Sequence, residues 1–256
     1  MVWQLLGINA AILFVWMSIW YVVAKERKQV NVVDVAWAGG FVLVGWASFM
    51  QYSYARTLLM AGLVTIWGIR LTAHLYKRVI VGRHEDPRYK ELMKNWGKHI
   101  WTRAFWSVFM LQGLLVLIIS LPLTMSATGT VVGRVWPIYA GMAIWVVGYL
   151  IEKAADAQLA EFVAKRKSDT QVMDRGLWHY SRHPNYFGEI LQWWGIGVIA
   201  LQAESGWIGL AGPLTLTILI LFVSGIPPIE RRKKSNPEYA AYMRRTSRLV
   251  PLPPKS

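Results

Sequence analysis

The chain has no cysteine in 256 residues, and it is short of charge, with only 16% Asp, Glu, Lys and Arg. Without a thiol there is no disulfide, no thiolate metal site and no cysteine nucleophile, and the redox compartment stays open. The charged share falls well below the roughly 25% of soluble domains. The deficit is also lopsided: 14 Asp and Glu stand against 28 Lys and Arg, a formal net charge of +14. What fills the chain instead is 55% hydrophobic residues, 15 of the residues being tryptophan. That is too much apolar surface for a disordered polymer. A basic excess of this size fits nucleic acid, anionic lipid or a phosphorylated ligand, and its placement decides between them.

A bilayer core takes about 20 consecutive apolar residues as helix. Seven such spans are predicted: 2–24, 33–51, 57–79, 104–124, 134–152, 185–203 and 207–227. The expected fold class is therefore an all-α integral membrane protein, a single membrane domain over 1–256 with cytosolic loops and a cytosolic tail at 228–256. The first span reads as a membrane helix and not a removed signal, because no basic segment precedes it and no small-residue cleavage site ends it. The third contains Arg70 and His74, the sixth Glu189. Ala203-Glu204-Ser205-Gly206 predicts a tight turn between the last two. Alternating sides then place 25 Lys and Arg together and only Arg56 and Arg134 opposite them, with Arg70 inside a span. Cytoplasmic loops carry the Lys/Arg excess, so the long loops and the C-terminus are expected in the cytosol. The charge is an orientation signal, and nucleic acid is not an expected partner. Membrane lipids are.

Three cytosolic segments have readable local structure. Over 86–97, Asp86 and Pro87 predict a helix start and Gly97 its end; Tyr89, Leu92, Met93 and Trp96 share a face expected to lie on the membrane surface. Asn236-Pro237-Glu238 predicts another start, with Tyr239, Tyr242 and Met243 forming a stripe. Residues 152–167 continue the fifth span as helix, and a loop about Asp174-Arg175-Gly176 follows.

Ionisable groups inside spans are costly and need a reason. Asp34 lies one turn inside the second span; Arg70, His74, Tyr76 and Arg78 occupy the third. Glu152 and Asp156 sit where the fifth emerges. Asn185, Glu189 and Gln192, spaced i, i+4, i+7, share one face of the sixth. All fall in the cytosolic half, which predicts a polar pocket open to the cytosol under apolar walls. The alternative is interhelical pairing that fixes packing, such as Asp34 with Arg70 or Arg78. No matched broken helices occur in the two halves, which argues against a transporter. The stretch 176–189 is densest, with two His, two Tyr, Arg, Asn and Glu. Arg182 and His183 stand where a helix N-terminus favours an anion, so phosphate is the expected guest. No metal is expected.

Gly176-Leu177-Trp178, Ser181-Arg182-His183-Pro184-Asn185-Tyr186-Phe187-Gly188-Glu189, Trp193-Trp194-Gly195 and Ser224-Gly225-Ile226-Pro227 followed by Glu230 resemble the membrane steroid 5α-reductase family and its sterol-reductase relatives, most strongly their bacterial branch. His74-Leu75, Arg83, Glu85-Asp86 and Arg88-Tyr89 fit as well, as do Tyr239, Tyr242 and Pro251. The shorter core Arg-His-Pro-x-Tyr-x-Gly also resembles isoprenylcysteine carboxyl methyltransferases, so an S-adenosylmethionine-dependent membrane methyltransferase is the alternative. The reductase resemblance implies that NADPH is bound in the cytosolic half. It would reduce the C=C bond of a 3-oxo-4-ene steroid, or a similar lipid-like enone, entering from the bilayer. It implies that Asp156, Asn185 and Glu189 contact the cofactor and that Arg182, His183 and Tyr186 belong to its motif. Arg175, Arg231, Tyr239 and Tyr242 are implied for phosphate, adenine or ribose. Animal relatives polarise the substrate carbonyl with an acid in the second span and a tyrosine in the third; here Asp34, Tyr76 or His74 is the implied donor. The bacterial likeness, with no retention signal in the sequence, implies a bacterial inner membrane and a cytoplasmic C-terminus.

Overall fold

Backbone N–H and C=O groups that lie in hydrocarbon have to be satisfied within their own segment, which makes helix the outcome for long apolar runs. The computed structural model describes every residue except 77–78, 81–88, 90–92, 95, 169 and 256, together with the side chain of His74. The described residues are helical with no strand, and two isolated backbone bridges are the nearest approach to one. Five of the helices are long and apolar enough to cross a membrane: Val2–Arg27, Val30–Gln51, Gly97–Ile119, Trp136–Lys165 and Gly206–Lys233. The other two expected spans form helices of a different quality. Ala55–Tyr76 is diluted by Arg56, Arg70 and three threonines. Pro184–Ala200 has 17 residues, roughly 26 Å of helix against a core of about 30 Å.

Backbone contacts divide the chain into two compact units, Met1–Arg134 with Ala200–Ala211, and Val135–Ile199 with Gly212–Ser256. The first contains α1 (Val2–Arg27), α2 (Val33–Gln51), α3 (Ala55–Tyr76), α4 (Gly97–Ile119) and α5 (Leu121–Thr128). α4 passes through a π-helical stretch at Phe105–Met110. The fourth expected span, 104–124, does not run through: the helix stops at Ser120 and α5 restarts there, with Pro122 in its first turn where a missing N–H costs nothing. The core is aromatic, Trp37, Phe41 and Trp67 meeting edge to face at centroid distances of 5.2 and 5.5 Å. Arg56, expected as a loop charge, is 7% exposed. Its guanidinium donates to the carbonyls of Ser126 and Gly129 at 2.8 and 2.7 Å, closing the C-terminal end of α5.

The second unit contains α6 (Trp136–Lys165), α7 (Leu177–Tyr180), α8 (Pro184–Ala200), α9 (Ala211–Ile218), α10 (Ile226–Lys233) and α11 (Pro237–Arg245). α6 is one 30-residue helix, so the helical continuation expected beyond the fifth span is present. α6 and α8 cross antiparallel at two glycine pairs. A Cβ on Gly148 would stand 2.6 Å from the Gly188 carbonyl oxygen, and one on Gly141 2.5 Å from that of Gly195. Two bare backbones therefore touch, and this contact presses the polar face of α8 against α6. Asn236 caps α11, its Oδ1 accepting from the Glu238 and Tyr239 amides at 2.9 and 3.5 Å, with Pro237 at the first helical position. That start was legible from Asn-Pro-Glu. The expected 86–97 helix falls largely on residues outside those described.

Candidate functional site

The densest stretch of the sequence forms a short connection between α6 and α8 that only Gly176 could begin. Its φ of +58 is left-handed, and a Cβ there would lie 2.6 Å from Gln158 Oε1. Gln158 accepts instead from the Leu177 amide at 3.0 Å, while the Trp178 indole donates to the Ala155 carbonyl at 3.0 Å. Both contacts fasten α7 along α6. The tail then comes back over the connection. Ser181 bridges Ser247, the Arg182 amide donates to the Ser247 carbonyl at 2.8 Å, and Ser181 Oγ donates to the Leu249 carbonyl at 2.6 Å. The Tyr242 hydroxyl donates to the carbonyls of Trp178 and Ser181.

Arg182 holds this arrangement from beneath. Its Nη1 donates to the carbonyls of Met243 and Thr246, at 2.8 and 2.7 Å, and its Nε donates to Glu230 Oε1 at 2.8 Å. His183 Nε2 reaches the same oxygen at 3.2 Å, and Arg248 Nε lies 3.8 Å from Glu230 Oε2. One carboxylate on α10 thus ties together the connection and the tail. Both its near partners are buried, so the charges meet in a low dielectric with their hydrogen bonds made.

Around this clamp lies a cavity of about 140 Å³, walled by Trp178, Tyr186, Tyr239 and Tyr242 with Asn185 and Lys233. Arg182 and His183 line it too. His183 stacks on Tyr186, centroids 5.7 Å apart. A groove of about 400 Å³ shares Val172 and Met173 with the cavity and carries Lys165, Arg166 and Arg175. Burial pushes the Tyr239 phenol up to about 12, the Glu230 charge adding to the effect, so it stays a donor at neutral pH. Burial also holds the His183 imidazole below its ordinary value, although the hydrogen bond to Glu230 opposes this.

A lowered folded-state value has a definite sign. Below about pH 6.5 the released His183 takes up a proton that the docked one resists, so docking is complete above that pH and weakens on acidification. The limit is about 1.4 kcal/mol per pH unit for one proton. Hydrogen exchange of the 246–252 amides is expected to accelerate, relative to its intrinsic pH dependence, between pH 7.5 and 5.5. Substitution His183→Gln should remove that difference.

The candidates are not equally placed. Asn185, Tyr186, Tyr239, Arg182, His183 and Tyr242 surround the cavity, and Asp156 joins them by accepting from Asn185 Nδ2 at 3.3 Å. Arg182, expected to meet phosphate, spends three hydrogen bonds inside the protein. Arg175 lines the neighbouring groove. Glu189 and Arg231 line neither space. Asp34 and Tyr76 belong to the first unit, where Tyr76 is 48% exposed. His74 belongs there too, its side chain outside those described. Glu230 stood in the matched motif without a role; Trp178, Gln158 and Lys233 had none either. The signal available for Glu230 was an acid set just before a basic run, Arg231 to Lys234.

Residues 20–246 match the family described as "Protein of unknown function (DUF1295)". The chain belongs to this family, which is steroid 5-alpha-reductase-like. It is 25% identical over 231 residues to Uncharacterized protein C594.04c of Schizosaccharomyces pombe, covering 76% of this chain and 65% of that protein. Over 74 residues it is 32% identical to Steroid 5-alpha-reductase DET2 of Gossypium hirsutum, 29% of this chain and 27% of that one. The chain thus spans less than two thirds of the length of either relative. No solved structure matches it.

A nicotinamide dinucleotide would need a ring-sized pocket, hydrogen bonds for its carboxamide and cations for its phosphates. A cavity near 150 Å³ is the size that takes one aromatic ring. Asn185 lines it with a buried Oδ1 that has no partner within the protein. An unfilled buried acceptor costs about 1–3 kcal/mol, and a carboxamide N–H answers it. The basic groove supplies cations. The residues present fit the group. Among the described residues no cluster of three His, Asp or Glu could hold a metal.

Proposed function

We propose that the protein is an NADPH-dependent membrane reductase acting on the C=C bond of a 3-oxo-4-ene steroid or a similar lipid-like enone. The observation that carries this reading is the unpartnered Oδ1 of Asn185 in an aromatic, ring-sized cavity beside a basic groove. When bound, the cofactor supplies a hydride for the carbon β to a carbonyl. Asn185 accepts from its carboxamide and is itself aimed by Asp156. Tyr186, Trp178 and Tyr239 exclude water from the ring, and Lys165, Arg166 and Arg175 offer charge to phosphates. Arg182, His183 and Glu230 keep the cavity shut by docking the tail. Glu189 and Arg231 are kept as cofactor contacts on the strength of the motif.

In this reading all seven expected spans cross the bilayer, those formed by α3 and α8 included. The 25 Lys and Arg of the long loops and tail then face the cytosol. The membrane is a bacterial inner membrane, and the substrate enters from it.

The test is a titration of purified protein with NADPH, read by energy transfer from tryptophan to the reduced nicotinamide. Wild type is expected to saturate, and Asn185→Ala to weaken binding about 10- to 100-fold, the worth of one buried hydrogen bond to a polar group. Saturable binding of S-adenosylmethionine with none of NADPH would replace the reading by a methyltransferase.

A further inference from the structure

Lys233, the last residue of α10, lines the aromatic cavity but takes no part in the clamp. It stands one turn beyond Glu230, and its Nζ lies 5.2 Å from the centre of the Tyr239 ring. Among the described residues Lys233 has no hydrogen bond and no ion pair. The charges that act on it are the guanidiniums of Arg166 and Arg232, both repulsive. Arg166 lines the neighbouring groove, which shares Val172 and Met173 with the cavity. His183, inside the cavity, also feels the Lys233 charge. The ammonium is thus within electrostatic reach of both spaces.

We propose that Lys233 binds the phosphate nearest the ring of a nicotinamide nucleotide, the one esterified to the ribose beside that ring. This rests on the reductase reading and deepens it by separating one phosphate from the rest. An ammonium has three donors and no acceptor, so it is completed by an anion or by several neutral acceptors. The Tyr239 face is a weak substitute, because a cation–π contact gives less than a charge-assisted hydrogen bond. Two guanidiniums of like sign make a bare ammonium costly there. A phosphate among the three turns that repulsion into a shared attraction. Two acids of this region are engaged elsewhere: Glu230 holds Arg182 and His183, and Asp174 pairs with Arg245 at 2.6 Å.

The order of groups along a dinucleotide decides which phosphate this is. The cavity, at about 140 Å³, has room for one ring, and Asn185 meets the carboxamide there. Ribose and then phosphate follow outward from the ring. Arg182 is committed to Glu230 and two carbonyls, so Lys233 is the uncommitted cation on the cavity wall. Lys165 and Arg175, in the groove, come later and serve the more distant phosphates. A lipid headgroup offers the same phosphate chemistry, but it has no ring for the cavity to hold.

The experiment titrates the purified full-length protein with three reduced ligands, read by energy transfer from tryptophan. They are NADPH, nicotinamide mononucleotide with its single phosphate, and nicotinamide riboside with none. Wild type is expected to bind the mononucleotide about 10- to 100-fold more tightly than the riboside, the range for a hydrogen bond to a charged group. In Lys233→Met that advantage should vanish, and NADPH binding should weaken by the same factor. Methionine keeps an apolar stem against Tyr239, and unchanged riboside binding shows that the cavity is intact. Lys234→Met removes the same charge from a residue that lines neither space and should change nothing. A mononucleotide advantage that survives Lys233→Met, or that vanishes equally in Lys234→Met, overturns the proposal and leaves the reductase reading standing. NADPH binding unchanged in Lys233→Met does the same. So does displacement of NADPH by dihexanoyl phosphatidylglycerol in wild type but not in Lys233→Met, which would assign the phosphate to a headgroup. A wild type that binds no NADPH overturns both.

Discussion

Replacing Glu230 by alanine is expected to release the tail and raise the dissociation constant for NADPH at least about 100-fold. Glu230 Oε1 accepts from Arg182 and His183, and Oε2 faces Arg248, so two guanidinium groups and an imidazole on two segments converge on one side chain. Arg182 and His183 have side chains only 8% and 4% exposed and cannot turn to water where they stand. Removing the acid leaves a buried guanidinium uncompensated, a loss of about 3–5 kcal/mol. The cheapest relief is for the tail to lift, which also removes Tyr239 and Tyr242 from the cavity wall. Trypsin should then cut at Arg244, Arg245 and Arg248 in the variant and spare them in wild type, with the fragments read by mass spectrometry. Glu230→Gln keeps the accepting oxygen without the charge, so its effect should be about a tenth as large. A tail equally protected in Glu230→Ala would remove Glu230 from its place at the centre of the site.

The second large effect belongs to the glycine crossing. In Gly188→Ala the new methyl would lie 2.6 Å from the Gly148 carbonyl oxygen and 2.7 Å from the Glu152 amide nitrogen, both backbone atoms that cannot step aside. The helices have to part, and Glu152 and Gln192 part with them. Their contact, Gln192 Nε2 donating to Glu152 Oε2 at 2.5 Å, is buried in the same interface. Overpacking of this kind costs about 1–3 kcal/mol. Melting in detergent should fall by about 5–10 °C, on the scale of a few degrees per kcal/mol for a chain of this size. Gly62→Ala, where a Cβ meets nothing within 4 Å, is the matched control and should melt as wild type. Equal melting of the two variants would mean that α6 and α8 do not touch as described.

Much of the fold was legible because its signals are local. Asn236-Pro237-Glu238 announces α11, since a cap, an N1 proline and a first-turn acid are all nearest-neighbour effects. Apolar run length likewise announces α1, α2 and α6. Where the reading slipped, local signals conflicted or were silent. Hydropathy runs smoothly across Ser120, but Pro122 breaks the ladder there. Arg56 looks like a loop charge until α5 presents it with bare carbonyls from 70 and 73 residues away. The candidate site divides in the same way. Asn185 and Tyr186 stand out by density of polar groups in one stretch. Glu230 meets Arg182 from 48 residues away along the chain, and no spacing rule reaches that far.

Arg182 has a history as well as a geometry. Its carbonyl acceptors, Met243 and Thr246, lie 61 and 64 residues further along the chain. At ribosomal rates of about 5–20 residues per second, they are made roughly 3–13 s later. During that interval the membrane helices on either side are inserting while a guanidinium destined for burial has nothing to bind. The nascent protein therefore passes through a stage with its apolar helices made and its tail still undocked. A quality-control protease that recognises an undocked basic tail would find it then, and again whenever acid or mutation reopens the clamp.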